Sequence, residues 1–162
     1  MGIYKGSLWC PQSRKMLQID GLVWQPSFGP PLLREGNFLL LHPKTVGAVV
    51  EIKTSVNNHE LREFHNRLKD IWQNYLNPYG HFIKNVIGIV LSHPNPKEAS
   101  SPKWNLVRGE KAELYKRTAC FPIYILFKKI DDFTYEPYDP AIREMLFRFN
   151  FIANTRRINT LI

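Results

Sequence analysis

A glutamate and a lysine interrupt the apolar residues 49–54 of this sequence. In a strand, side chains alternate between faces, so Glu51 and Lys53, two positions apart, lie on the same face. A carboxylate withdrawn from water is costly unless it is protonated, paired or bound to a metal. Asp20 interrupts a second apolar stretch, residues 17–24. Two carboxylates and an ammonium group on neighbouring strands suit the binding of Mg²⁺ and the activation of water against a phosphodiester.

Length, charge and cysteine usage restrict the class of protein. The 162 residues predict a single domain, residues 1–162. A formal net charge of +8 favours a polyanionic partner, nucleic acid before membrane. No apolar run is long enough to cross a bilayer, so no membrane partner is expected. Cys10 and Cys120 have neither the spacing of a zinc site nor that of a disulfide framework, which favours a reducing, cytoplasmic compartment.

The elements around the polar residues follow from apolar periodicity. Residues 3–10 and 17–24 predict a hairpin, and residues 46–54 predict the strongest strand. A helix capped by Asn57 or Asn58 follows, because apolar residues recur there at three- and four-residue steps until Asn77-Pro78. The next strand, residues 82–91, comes so soon that strand, helix and strand predict a parallel crossover.

The rest of the chain completes a mixed α and β pattern. The further predictions are a loop over 25–36, a short edge strand over 37–41, strands over 121–127 and 131–136, and helices over 107–116 and 142–151. Five or six strands with at least two helices predict an α/β or α+β fold around a mixed sheet.

Two segments carry a family resemblance. Residues 19–23 contain Ile-Asp-Gly-Leu-Val, residues 49–54 contain Val-Val-Glu-Ile-Lys-Thr, and a proline-bearing linker at residues 42–46 runs into the second segment. Together they resemble the PD-(D/E)XK nuclease superfamily, in particular a bacterial branch with Gln-x-Asp on the first strand. The resemblance covers roughly residues 3–92. It implies a restriction-endonuclease-like core, in which a central mixed β-sheet is flanked by helices.

The resemblance also implies a chemistry and its cofactor. In that fold the acidic residues bind Mg²⁺ or Mn²⁺, the lysine assists the attacking water, and the products carry a 5′-phosphate. The family core normally opens with a helix, whereas residues 1–19 here read as strand and contain no acidic residue. A homodimer or a partner protein could supply the missing helix.

Each candidate residue has a functional and a structural interpretation. Asp20 and Glu51 would bind the metal, the backbone carbonyl of Ile52 could add a third oxygen, and Lys53 would orient or deprotonate water. Gln18 shares the face of Asp20 and, like Thr54, could support the site. Alternatively, Asp20 faces water or a basic neighbour, Glu51 and Lys53 form a plain ion pair, and Gln18 and Thr54 are ordinary strand residues.

Basic residues outside the strands are candidates for binding the nucleic-acid backbone. Phosphate contacts supply much of non-specific DNA affinity. The candidates, from the predicted helix and the following loop region, are Arg62, Lys69, Lys103 and Arg108.

Three functional hypotheses remain open from the sequence. The leading one is a metal-dependent nuclease in defence or in a mobile element, with DNA favoured over RNA as the expected substrate. The alternative is an inactive nucleic-acid- or protein-binding module on the same fold. The third is an interaction or inhibitor protein whose Glu51–Lys53 pair is structural, with weak and strongly salt-dependent DNA binding.

Overall fold

Most of the apolar segments identified above become strands of one sheet. A computed structural model describes residues 1–80, 85–92, 121, 123–129 and 134–159. Within these residues the strands and helices are β1 (Gly2–Cys10), β2 (Lys15–Trp24), β3 (Leu33–Glu35), β4 (Phe38–Leu41), β5 (Ala48–Ser55), α1 (Asn58–Ile71), β6 (Val86–Ser92), β7 (Ile123–Lys129), β8 (Tyr135–Pro137) and α2 (Asp139–Asn159).

The eight described strands form a single mixed sheet in the order β3-β4-β1-β2-β5-β6-β7-β8. β1 and β2 form the predicted antiparallel hairpin, and β2 pairs antiparallel with β5. β5, β6 and β7 run parallel to one another, so α1 makes the predicted crossover between β5 and β6. The mixed sheet and its two helices confirm the predicted α+β class.

The two helices cover opposite faces of the sheet. On α1, Phe64, Leu68 and Ile71 belong to the apolar cluster that contains Val49 of β5. On α2, Ala141, Phe149 and Ile152 belong to a second cluster, which contains Val50. Because Val49 and Val50 are consecutive strand residues, their side chains point to opposite faces, and each face packs against one of the two described helices.

The start of α1 is set by a reciprocal capping arrangement. The side-chain oxygen of Asn57 accepts a hydrogen bond from the Glu60 amide at 2.9 Å, and the Glu60 carboxylate accepts one from the Asn57 amide at 2.9 Å. Such a capping box satisfies amides that have no partner within the helix. The predicted cap at Asn57 is therefore confirmed. The helix continues through a π-turn, Trp72–Leu76, and a 3₁₀ turn, Asn77–Tyr79, before Gly80.

The predictions for the β3 side of the sheet were wrong in part. Residues 25–36 are not all loop, since they contain a 3₁₀ turn, Pro26–Phe28, and strand β3. β4 is consequently not an edge strand, because it lies between β3 and β1. The three residues of β3 are all exposed and carry no alternating pattern. β3 is held instead by tertiary contacts, since the Arg34 guanidinium lies 5.8 Å from the ring centres of both Tyr4 and Trp24.

The remaining differences concern counts and boundaries. Eight described strands replace the predicted five or six, and α2 begins and ends outside the predicted 142–151. The predicted helix at 107–116 lies outside the described residues. None of the helices in the described part of the chain combines the length and apolar character that a membrane crossing requires.

Candidate functional site

A bulge on β2 determines where the Asp20 carboxylate lies. Against β1, Ile19 pairs with Gly6 and Leu22 pairs with Tyr4, so three steps on β2 face two steps on β1. Asp20 and Gly21 lie in this irregular step. Bulges re-aim side chains and recur beside active sites.

Asp20 also marks the end of pairing between β2 and β5. The ladder between these strands contains Gly21 opposite Val50. One residue further, the Oδ2 atom of Asp20 accepts a hydrogen bond from the Ile52 amide at 2.8 Å. The carboxylate thus replaces a backbone carbonyl as acceptor, which anchors it at this end of β5 and leaves its other oxygen uncommitted to that bond.

Glu51 is a buried acid on the neighbouring strand. Its residue is only 8% exposed, and on β6 it pairs with Gly88. Burial raises the pKa of the Glu51 carboxyl, and the nearby Asp20 carboxylate acts in the same direction. The positive charges of Arg67 and Lys53 oppose this shift of the pKa. Burial therefore makes the ionised form of Glu51 costly in free energy, and such shifted pKa values are typical of functional positions.

Arg67 on α1 supplies the ion pair that Glu51 makes. The Nη2 atom of Arg67 lies 3.7 Å from Oε1 of Glu51, and its Nη1 atom lies 3.9 Å from Oδ2 of Asp70. The sequence left open a structural ion pair between Glu51 and Lys53. Among the described residues, Glu51 pairs instead with Arg67 of α1.

A pocket of about 380 Å³ opens where β5 passes into α1. Glu51 and Lys53 both line it, as expected for two residues on the same strand face. Its lining residues, from β5, the connection and α1, are Glu51, Lys53, Ser55, Val56, Glu60, Glu63, Phe64 and Arg67. The pocket therefore combines three carboxylates, of which only that of Glu51 is buried, with an exposed ammonium group and a guanidinium group.

Asp20 lines a different pocket, of about 420 Å³. The expectation that Gln18 shares the face of Asp20 agrees with the structure, since both line it together with Lys5, Gly6, Ile19, Phe38 and Ile52. Neither Glu51 nor Lys53 lines this second pocket. The predicted residues thus meet at the end of the β2–β5 pairing but divide between two pockets, with the bulge and the bond to Ile52 turning Asp20 away.

The other predicted residues lie further from this junction or outside the described residues. Thr54 is exposed near the end of β5, and its carbonyl accepts a hydrogen bond from the Ser92 hydroxyl at 3.5 Å. Arg62 and Lys69 are exposed on α1 and line neither pocket. Lys103 and Arg108 lie outside the residues that the structure describes.

The donor set bears directly on the expected metal. Within the described ranges, no group of three or more His, Cys, Asp or Glu side chains is arranged to hold a metal ion. Mg²⁺, however, keeps several waters and is usually bound through only one or two carboxylates. The buried carboxylate of Glu51, the second oxygen of Asp20 and the carbonyl of Ile52 are hard oxygen donors of the kind that Mg²⁺ prefers. The chemistry of these donors therefore suits this ion, while Asp20 and Glu51 line different pockets.

Sequence reasoning did not identify the contribution of α1 to the pocket. Glu60, Glu63 and Arg67 follow one another at steps of three and four residues, so they form a polar stripe beside the apolar one. That spacing was visible in the sequence. What it did not reveal is that this stripe faces Glu51, because the approach of α1 to β5 depends on tertiary packing.

Comparisons with known proteins bear on the fold. No protein-family model and no curated protein matches this chain. Among solved structures, the chain is similar to NucC of P. aeruginosa ATCC27853 in its cAAA-bound form. The TM-score is 0.55 at 10% sequence identity, and the match covers 92% of this chain and 70% of NucC. The central mixed sheet with its two described helices is consistent with a restriction-endonuclease-like fold. At this identity, the likeness extends to the fold alone.

Proposed function

We propose that this protein is a metal-dependent nuclease that hydrolyses DNA phosphodiester bonds at the junction of β5 and α1. The observation that carries the proposal is Glu51, a buried acid whose pKa is raised and which shares a pocket with Lys53 and Arg67. A buried carboxylate with a raised pKa that opens onto a pocket of about 380 Å³ is typical of a functional position. The fold match and the net charge of +8 support a polyanionic substrate.

The proposed roles follow from the chemistry of each group. Glu51, Asp20 and the carbonyl of Ile52 would hold Mg²⁺ or Mn²⁺. When bound, the ion would lower the pKa of water and neutralise charge on the phosphate. Lys53 would donate to the scissile phosphate, where negative charge builds as water attacks. Attack at phosphorus with departure of the 3′ oxygen leaves the 5′-phosphate that the family resemblance implies. The proposed biological role of the nuclease is in defence or in a mobile element.

Cleavage assays with matched variants test this proposal. Plasmid, linear duplex, single-stranded DNA and RNA are incubated with Mg²⁺, Mn²⁺ or EDTA. Asp20→Asn keeps an acceptor for the Ile52 amide while removing the charge, and Lys53→Met keeps the stem of the side chain. We expect metal-dependent cleavage of DNA that falls about a hundredfold or more in either variant. Lys15→Met, at the start of β2, is the control and should cleave like the wild type.

One observation favours the inactive binding module as a second candidate. Asp20 is bonded to the Ile52 amide and lines a pocket separate from that of Glu51 and Lys53. If the folded wild type binds DNA equally well in Mg²⁺ and in EDTA and cleaves no substrate, the nuclease proposal fails and the binding module takes its place.

A further inference from the structure

Arg67 occupies an unusual position between two carboxylates. One of its partners, Glu51, is buried, whereas the other, Asp70, is exposed on the same helix. The distances, 3.7 Å to Glu51 and 3.9 Å to Asp70, are those of ion pairs without short hydrogen bonds. The Arg67 side chain is itself 40% exposed. The guanidinium group is therefore held by electrostatic attraction and not by short hydrogen bonds of fixed geometry.

Arg67 can leave Glu51 at modest cost to itself. Exposed ion pairs are worth about 0–1 kcal/mol, and Arg67 keeps its pairing with Asp70 and its access to water when it moves away. Glu51 cannot move away in the same manner, because it sits on the sheet with its side chain buried. A buried carboxylate that loses its counterion needs another cation.

We propose that Arg67 is a counterion that changes partners, and this inference rests on the proposed function. In the metal-free protein Arg67 neutralises Glu51. A divalent cation bound at Glu51 takes over that task and repels the guanidinium, which then binds the phosphate of the DNA entering the same pocket. The planar fork of an arginine matches a phosphate as well as it matches a carboxylate. Arg67 is thus a substrate-binding residue that becomes available only after the metal is in place.

This arrangement predicts effects of opposite sign on two ligands. Removing Arg67 removes a competitor for Glu51, so divalent cations bind more tightly. The same change removes a phosphate contact, so DNA binds more weakly when a divalent cation is present. A residue that merely holds Glu51 in its metal-binding orientation predicts the opposite result for the metal.

Mn²⁺ binding to the full chain, measured from the EPR signal of free Mn²⁺, tests the first effect. We expect Arg67→Ala to bind Mn²⁺ about tenfold more tightly than the wild type, a change of about 1.4 kcal/mol. Arg143→Ala removes the same charge from α2, on the other face of the sheet, and should leave Mn²⁺ affinity unchanged. Arg67→Gln keeps much of the side-chain length and carries the same expectation if the alanine variant is unfolded. Glu51→Gln identifies the site by abolishing the binding.

The second effect is measured with duplex DNA in a Lys53→Met background, which suppresses cleavage. In Mn²⁺, Arg67→Ala should weaken DNA binding about tenfold, whereas in EDTA the loss should stay below about twofold, because Arg67 is then engaged with Glu51. Equal losses in both conditions would overturn the exchange of partners.

The outcomes separate this inference from the proposed function. If the wild type cleaves DNA but Arg67→Ala binds Mn²⁺ no more tightly or less tightly, Arg67 is not a competing counterion and the nuclease proposal stands. If Glu51→Gln binds Mn²⁺ as the wild type does, Glu51 is not a ligand and both proposals fail.

Discussion

At the scale of single residues, the free-energy cost of burying Glu51 depends on pH. Burial raises the pKa of this carboxyl in the folded protein above its unfolded value. A group of this kind contributes stability that is fully present below the unfolded pKa and is lost as pH rises through the folded pKa. At neutral pH the raised pKa of Glu51 therefore lowers the free energy of unfolding, despite the opposing charge of Arg67.

Glu51→Gln should consequently be more stable than the wild type at neutral pH. We expect a gain of about 1 kcal/mol in the free energy of unfolding at pH 7, the scale of removing a functional but destabilising group. The gain should disappear near about pH 4, where the glutamate is largely protonated in the unfolded chain as well. Urea denaturation in EDTA at both pH values measures it. Glu35→Gln, at an exposed position of β3, is the control and should change stability little at either pH.

If Glu51→Gln were less stable than the wild type at pH 7, the ion pair with Arg67 would outweigh the cost of burial. Glu51 would then be a structural residue, and the argument that its burial indicates a ligand would lose its basis.

The candidate residues differ in how far the sequence could reveal them. Asp20, Glu51 and Lys53 were recognisable because each is a polar side chain within an apolar strand. Arg67 was not, since it lies on a helix with several charged residues, and only the approach of α1 to β5 selects it. The bulge at Asp20 was equally hidden, because it depends on how β2 pairs with β1.

At the scale of elements, Gly88 sets how closely α1 approaches the sheet beside Glu51. A Cβ atom at Gly88 would lie 2.9 Å from Phe64 Cε1 and 3.0 Å from Leu68 Cδ1, both on α1. It would also lie 2.9 Å from Ile123 Cγ1 on β7. These contacts are too short, so the side chains of Phe64 and Ile123, or the helix that carries Arg67, have to shift to make room.

Gly88→Ala should therefore weaken both the fold and the site. We expect a loss of about 1–3 kcal/mol in the free energy of unfolding, together with a change in Mn²⁺ affinity. Gly36→Ala is the matched control: its φ of 53° strains an alanine, but no neighbouring atom lies within 4 Å of its Cβ. The control should lose stability while keeping wild-type Mn²⁺ binding. Unchanged stability and Mn²⁺ binding in Gly88→Ala would show that α1 adapts without disturbing the site.

Elements with many buried apolar residues were predictable, whereas the short exposed strand β3 was not. The strand β2 and the helix α1 bury apolar residues at regular steps, and β5 buries a continuous apolar run over residues 48–50. β3 has only three residues, all exposed, and exists because it pairs with β4, whereas the equally short β8 overlaps the strand predicted over 131–136. The formation of β3 depends on the completed sheet, which no local pattern records.

At the scale of the whole molecule, the net charge of +8 makes the salt dependence of DNA binding informative. Each phosphate that a lysine or arginine neutralises releases counterions, and log K then falls with log salt by about 0.9 per contact. If about four phosphates are contacted, affinity should fall by about a hundredfold between 50 and 200 mM salt. DNA that binds diffusely over the basic surface and DNA that binds along α1 give the same total slope. Variants are therefore needed to distinguish these two modes of binding.

Arg62 and Lys69 provide that separation, because both are exposed on α1, the helix that lines the Glu51 pocket. If DNA lies along this helix, Arg62→Ala and Lys69→Ala should each reduce the slope by about 1, measured by fluorescence anisotropy over a salt series in EDTA. Lys15→Ala, at the start of β2, should leave the slope unchanged. Equal reductions in all three variants would mean that the charge acts diffusely. DNA would then have no fixed path past α1, and the nuclease proposal would lose its support from the charge on this helix.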